Sequence, residues 1–91
     1  MSNLFFSWFT TMSKSIEKTS IELYVISRVK DMREAKGMSQ SELATMLNTS
    51  NGFIGQIESP KFPAKYNLNH INKLAEIFDC SPKDFLPNEV L

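Results

Sequence analysis

Two short helical segments joined by a tight turn constrain the fold of this chain more than any other feature. The segment Ser39–Glu42 reads Ser-Gln-Ser-Glu, the spacing at which a hydroxyl and a carboxylate each bind a backbone amide that the helix leaves unpaired. A helix of about two turns is therefore predicted from Gln40. The chain is expected to turn at Asn48, because asparagine tolerates positive φ better than any residue except glycine. Ser50 is the predicted N-cap of the next helix, which ends at Glu58.

Three more helices are predicted around this pair. Thr19–Glu22 forms another capping box, and the first helix runs to about Lys36, where Gly37 suits a left-handed end. Asn67 caps a fourth helix, and Ser81–Asp84, with proline at the first helical position, begins a short fifth one. The apolar positions at helical spacing predict the inner faces. They are Ile21, Val25, Ile26, Val29, Met32, Leu43, Ala44, Met46, Leu47, Phe53, Ile54, Ile57, Leu68, Ile71, Leu74, Ala75, Phe78, Phe85 and Leu86.

The N-terminal residues differ in composition from the rest of the chain. We expect residues 1–18 to be a flexible extension and residues 19–91 to form one helical domain. The apolar stretch Leu4–Phe9 lacks the basic flank of a signal peptide and is far shorter than a membrane span. Two interpretations remain: an extension that arises from a start upstream of Met12, or an arm used for self-association.

Composition argues against catalysis and metal binding. A single cysteine, Cys80, excludes an intrachain disulfide and a multi-cysteine zinc site, and it fits a reducing compartment. No glycine-rich phosphate loop or metal-ligand spacing occurs, and nothing in the pattern orients His70 towards Cys80. We predict no enzymatic activity, no catalytic residues, no metal, no cofactor and no association with membranes.

The helix pair has the spacing of a DNA-reading helix-turn-helix. Its residues, and the sequence on either side, closely resemble the Cro/phage-repressor-type (Xre) family over residues 21–87. The matching positions are Gln40, Leu43, Ala44, Leu47, Thr49, Ser50, Ile54, Ile57 and Glu58, with the flanking segments 32–34, 36–40, 74–78 and 81–82. The resemblance implies an all-α, compact five-helix, lambda-repressor-like domain with the helix-turn-helix at helices 2 and 3.

The resemblance also assigns roles to the outward residues. Gln40, assisted by Ser39, is expected to hold a backbone phosphate. Helix 3 is expected to enter the major groove and read bases with asparagine and glutamine side chains, each of which can bind adenine through two hydrogen bonds. The base-facing residues are Asn51, Gly52 and Gln56, with Ser50 at the helix start. Lys61, Lys65 and Tyr66, in the loop before helix 4, are expected to contact the DNA backbone.

Two features of helix 3 need separate explanations. Gly52 and Gly55 stand where the family commonly has long polar side chains; either the backbone lies close to the bases, or sequence reading is sparse and depends on DNA shape. Glu58 would repel DNA if it were free. Its spacing from Arg33 matches an arginine–glutamate pair found in the family, and we interpret it as a structural ion pair.

The predicted function is sequence-specific binding of double-stranded DNA by a homodimeric transcriptional regulator, a repressor acting on a palindromic operator. Its half-sites would lie about 34 Å apart. Self-association would use helix 5 and the tail (Phe85, Leu86, Val90 and Leu91), or the N-terminal arm. The alternative is an antitoxin-like or adaptor protein whose main partner is another small protein. We expect a cytoplasmic protein of a bacterium or phage that associates with the nucleoid when it is bound to DNA.

Overall fold

The computed structural model describes residues 17–91, and in this part of the chain all regular structure is helical. Its elements are α1 (Ser20–Ala35), α2 (Gln40–Met46), α3 (Phe53–Glu58), α4 (Leu68–Phe78) and a 3₁₀ helix (Pro82–Phe85). The all-helical prediction is confirmed. The predicted fifth helix is a 3₁₀ helix of four residues, so the α-helices in the described part number four.

Local capping signals set most helix ends where the sequence predicts them. Complete capping boxes begin α1 at Thr19, α2 at Ser39 and the 3₁₀ helix at Ser81. Gly37, with φ of 65°, follows the C-cap of α1, and Asn48, with φ of 60°, makes the turn after α2. These ends depend on hydrogen bonds within a few residues of one another, which is why the sequence predicts them.

The predicted N-cap of α3 is wrong. Ser50 lies in a turn in which its carbonyl accepts the Phe53 N–H at 3.1 Å. The helix begins two residues later than expected, with Gly52 at the N-cap position and no side-chain cap. A backbone hydrogen bond therefore replaces the expected hydroxyl cap, and α3 is only six residues long.

The core forms where α1 packs on both α3 and the 3₁₀ helix, α2 packs on α3, and α4 packs on the 3₁₀ helix. The phenyl ring of Phe85 is fully buried and lies 6.4 Å from that of Phe78. Burial of a side chain of this size contributes about 1.5–3 kcal/mol, so the short 3₁₀ helix is anchored chiefly by one residue. The other members of the main cluster are Val25, Val29, Leu43, Ala44, Leu47, Ile54, Ile71, Leu74 and Ala75.

Four residues predicted on inner faces are exposed instead: Ile21, Met46, Leu68 and Leu86. Leu68 is the first residue of α4 and is 84% exposed, because helical side chains point back towards the N-terminus and this one extends beyond the core. Leu86 follows the 3₁₀ helix in an extended conformation. The backbone therefore leaves the helical path after Phe85, and Leu86 faces out where Phe85 faces in.

Some sequence predictions concern residues outside the described range. The apolar stretch Leu4–Phe9 and the start at Met12 both lie there, so both interpretations of this extension stay predictions. Among the helices of residues 17–91, none is long and apolar enough to cross a membrane.

The start of α4 contains a reciprocal cap made by a histidine. His70 Nδ1 accepts the Asn67 N–H at 3.0 Å, and Asn67 Oδ1 accepts the His70 N–H at 2.8 Å. The imidazole ring centroid lies 5.3 Å from that of Phe53 and 6.1 Å from that of Tyr66. Burial lowers the pKa of His70. The prediction of Asn67 as the cap is confirmed. The part of His70 is not predicted, because position N3 of a capping box is usually glutamate or glutamine.

We predict that His70 makes stability fall at mildly acidic pH. The pKa of His70 in the folded state lies below the ordinary value of 6.5. The neutral ring's contribution to stability is therefore complete above pH 6.5 and is lost as the pH falls through the folded-state pKa. His70→Gln keeps a side chain that can complete the capping box but does not titrate. Urea unfolding should show a larger loss of stability between about pH 7.5 and about pH 5 in the wild type than in His70→Gln. Equal losses would contradict the prediction.

Candidate DNA-binding interface

The turn between α2 and α3 is held by backbone hydrogen bonds. The Leu47 N–H donates to the Leu43 carbonyl at 2.8 Å, and the Thr49 N–H donates to the Ala44 carbonyl at 2.9 Å. The Ala44 side chain is fully buried between the helices, where a larger side chain would force them apart. This local arrangement fixes α3 against α2 and leaves the outer side of α3 facing solvent.

A buried ion pair connects the end of α1 to the end of α3, as the sequence predicts. Arg33 Nε lies 3.0 Å from Glu58 Oε2, and Arg33 Nη2 lies 2.9 Å from Glu58 Oε1. The two side chains are 9% and 4% exposed. Arg33 Nη1 also donates to the Met38 carbonyl at 2.7 Å. The hydrogen bonds to Glu58 raise the pKa of Arg33, so the guanidinium stays charged. Its positive charge lies against the Glu58 carboxylate, which therefore presents no free negative charge to DNA.

Gln40 is joined to this pair. Its Nε2 donates to Glu58 Oε1 at 2.9 Å, so a single carboxylate oxygen accepts from both Arg33 and Gln40. The Gln40 residue remains exposed to solvent. Its neighbour Ser39 uses its hydroxyl oxygen to accept the Glu42 N–H at 3.0 Å, as the N-cap of α2. The two predicted phosphate-binding residues therefore lie side by side, and each is fixed by a hydrogen bond.

The predicted base-facing residues lie together on the exposed side of α3 and the turn before it. Ser50, Asn51, Gly52 and Gln56 are all exposed. Ser41 Oγ donates to Asn51 Oδ1, which turns the carbonyl of Asn51 towards α2 and leaves its NH₂ group as a donor. A Cβ on Gly52 would meet no protein atom within 4 Å. The fold therefore leaves space for a side chain at this position.

The predicted backbone-contact loop is only partly available. Lys61 is exposed, but Lys65 Nζ lies 2.6 Å from Glu22 Oε2 on the first turn of α1, so a phosphate would have to displace that partner. The prediction that Tyr66 contacts the DNA backbone does not fit the structure. Its hydroxyl oxygen is buried and has no hydrogen-bond partner among the described residues, and burial raises its pKa. In this structure Tyr66 packs against the core, and its hydroxyl does not reach the surface that a phosphate would occupy.

The sequence analysis missed Lys18, which it assigned to the extension. Lys18 Nζ donates to the carbonyls of Ile57 and Ser59, the latter at 2.7 Å, and lies 3.4 Å from the Gln56 carbonyl. These carbonyls end α3, where a helix leaves acceptors unpaired and a cation is favourable. The contact spans about forty positions along the sequence, so no local pattern could have revealed it.

Comparisons with known proteins agree with this geometry. A family model described as Helix-turn-helix matches residues 29–85, which is more than half of the chain. The chain belongs to the Cro/C1-type helix-turn-helix family. This membership supports a role in DNA-binding transcriptional regulation.

A solved structure gives the same fold. The chain is similar to the restriction-modification controller protein C.AhdI from Aeromonas hydrophila, with a TM-score of 0.60 and 28% sequence identity over 70% of this chain and 94% of that one. Among curated proteins, none matches the chain.

Removal of the Glu58 carboxylate should destabilise this family member strongly. Glu58→Ala leaves the Arg33 guanidinium buried without its partner, which costs about 3 kcal/mol of unfolding free energy. Urea unfolding followed by circular dichroism measures the loss. The double variant Arg33→Met/Glu58→Leu is the control, because it removes both charges and should recover much of the stability. An unchanged thermal midpoint in Glu58→Ala would show that the pair does not hold α3.

Proposed function

We propose that this protein binds double-stranded DNA sequence-specifically as a homodimeric repressor, with α3 in the major groove. One observation carries the proposal: a short helix that exposes Gln56, after a turn that exposes Asn51, is fixed to the core by a buried ion pair that neutralises its only acidic residue, Glu58. A helix held in this way can present donors and acceptors to base edges with little loss of freedom on binding. Membership in the helix-turn-helix family supports the same function.

Base reading in this proposal depends on few side chains. Asn51 and Gln56 are polar residues on the exposed side of the α3 region. Gln56 can make two hydrogen bonds to adenine, whereas Asn51, whose carbonyl accepts from Ser41, offers its NH₂ group as a donor to a base edge. Because Ser41 already holds the Asn51 carbonyl, the Asn51 side chain is oriented before DNA arrives. Ser50 and Gly52 would contribute backbone and small-group contacts. Sequence-dependent DNA shape would supply the remaining discrimination.

Affinity in this proposal comes from a small number of phosphate contacts. Gln40 and Ser39 at the start of α2 and Lys61 in the loop are the proposed contacts, and Lys65 can join them only by leaving Glu22. The formal net charge of the chain is zero, so its net charge does not attract DNA. Each neutralised phosphate adds about 0.9 to the salt slope, and we therefore expect a shallow dependence of binding on salt.

Dimerisation would use apolar side chains that the fold leaves exposed near the C-terminus. Leu86, Val90 and Leu91 are exposed and remain candidates for contact with a second copy. Phe85, which the sequence analysis included in this surface, is fully buried and cannot take part. A dimer would place two α3 helices on half-sites about 34 Å apart.

We also propose that the protein is not an enzyme and acts in the cytoplasm of a bacterial or phage-infected cell. His70 uses its Nδ1 as the acceptor of a helix cap. Burial raises the pKa of the Cys80 thiol, and a thiol that stays protonated is a poor nucleophile. The His70 and Cys80 side chains therefore serve the fold and are not poised for a reaction.

Selection of bound sequences from random duplex DNA, repeated at two salt concentrations, tests the function. We expect a palindromic motif that persists at the higher salt, because base contacts add specificity that counterion release does not provide. Sedimentation of the selected complex should give two protein chains per duplex. If the bound sequences share no motif and binding is lost at the higher salt, only backbone contacts remain. That outcome would refute specific repression.

Two single variants should distinguish contacts to bases, which give specificity, from contacts to phosphates, which give affinity for any sequence. Gln56→Ala is expected to relax specificity at one position of each half-site, by about 1–3 kcal/mol. Lys61→Ala is expected to weaken all sequences alike and to lower the salt slope by about one phosphate equivalent. Binding of the selected operator and of single-base variants, measured by fluorescence anisotropy at several salt concentrations, distinguishes the two. Interchanged effects would show that the two roles are assigned incorrectly.

A further inference from the structure

Gln40 lies in a narrow space between two residues of α3. Its Nε2 donates to Glu58 Oε1 at 2.9 Å. Its carbonyl oxygen would lie 3.3 Å from a Cβ built on Gly55. That distance is tighter than most Cβ contacts, so a side chain at position 55 would require the Gln40 amide to shift by a few tenths of an ångström from its present position. The conformation of Gln40 therefore depends on Glu58 for a hydrogen bond and on Gly55 for space.

The three glycines of the chain have different reasons for being present. Gly37 has positive φ at the end of α1. A Cβ on Gly52 would meet nothing within 4 Å. Gly55 lies within α3 without positive φ, where glycine is less favourable than every residue except proline. The feature that sets Gly55 apart is its contact with Gln40.

We propose that Gly55 is a positioning residue for DNA binding: its missing side chain lets Gln40 lie against α3 with its amide fixed on Glu58. The proposal rests on the proposed function, in which Gln40 holds a backbone phosphate. One N–H of the Gln40 amide is bound to Glu58, and the second stays available to a phosphate oxygen, because Gln40 is exposed.

Fixing the side chain in advance explains why this arrangement strengthens binding. Glutamine is among the side chains that lose most rotamer freedom when they become ordered. A glutamine that is already ordered in the free protein does not lose that freedom on contact with DNA, and so it binds more tightly. Arg33 contributes indirectly, because it orients the carboxylate on which Gln40 is held.

A double-mutant cycle on the selected operator tests this inference. Gly55→Ala and Gln40→Ala should each raise the Kd by about fivefold to tenfold, the usual effect of losing one well-placed hydrogen bond. The double variant should bind no more weakly than Gln40→Ala alone, because both changes remove the same contact. The thermal midpoint of Gly55→Ala should not fall, since alanine favours a helix. A loss of binding without a loss of stability separates positioning from misfolding.

Gly52→Ala provides the matched comparison, because it makes the same change of residue on a glycine that does not touch Gln40. Whatever its own effect on binding, that effect should multiply with the effect of Gln40→Ala. Multiplying effects for Gly55→Ala with Gln40→Ala would instead show that position 55 meets DNA directly and would overturn the proposal. Unchanged binding by Gly55→Ala would overturn it as well.

Nuclear magnetic resonance of the free protein gives a readout that does not need DNA. The side-chain NH₂ signals of Gln40 should be shifted from those of a solvated glutamine in the wild type and should approach them in Gly55→Ala and Glu58→Gln. Solvated signals in the wild type would refute the positioning contact. If the wild type selects no DNA motif while these signals are shifted, the proposed function fails, and the assigned role of Gly55 in DNA binding fails with it, but the Gly55–Gln40 contact stands.

Discussion

The pair between Arg33 and Glu58 is the interaction on which both the fold and the candidate interface depend. Its paired hydrogen bonds join the end of α1 to the end of α3, and a third bond to the Met38 carbonyl fixes the chain just before α2. The same pair neutralises a carboxylate that would repel DNA. Because Glu58 also accepts the Gln40 amide, the ion pair that stabilises the helix-turn-helix extends to the residue proposed to hold a phosphate.

This dependence follows from the length of α3. A helix of six residues has little stability of its own, because nucleation is costly and few hydrogen bonds follow it. It has no side-chain N-cap, so its stability comes from outside. Ile54 and Ile57 are fully buried, and Lys18 binds the carbonyls at its end. Contacts distant in sequence therefore hold the proposed reading helix in place.

The difference between local contacts and contacts distant in sequence explains how far the sequence could predict the structure. Capping boxes at Thr19 and Ser39 and the turn at Asn48 depend on neighbouring residues, and the family resemblance added the Arg33–Glu58 pair. The predictions that failed concern residues whose positions depend on tertiary contacts. Tyr66 looks like a polar loop residue, yet its hydroxyl is buried, and Lys18 looks like part of a tail. Ser50 has the chemistry of an N-cap, but a backbone turn uses that position instead.

The proposed Gly55 contact bears on how specific DNA reading could arise. If Gly55 makes space for Gln40, only Gly52 is left as an empty reading position, and base contacts fall to Asn51 and Gln56. Even two full bidentate contacts would discriminate by about 2–6 kcal/mol in one half-site, whereas specific regulators exceed their non-specific binding by about 4–10 kcal/mol. A single copy reaches only the lower part of that range. Two copies on a palindrome double the number of contacts, so sparse reading by α3 is itself an argument for a dimer.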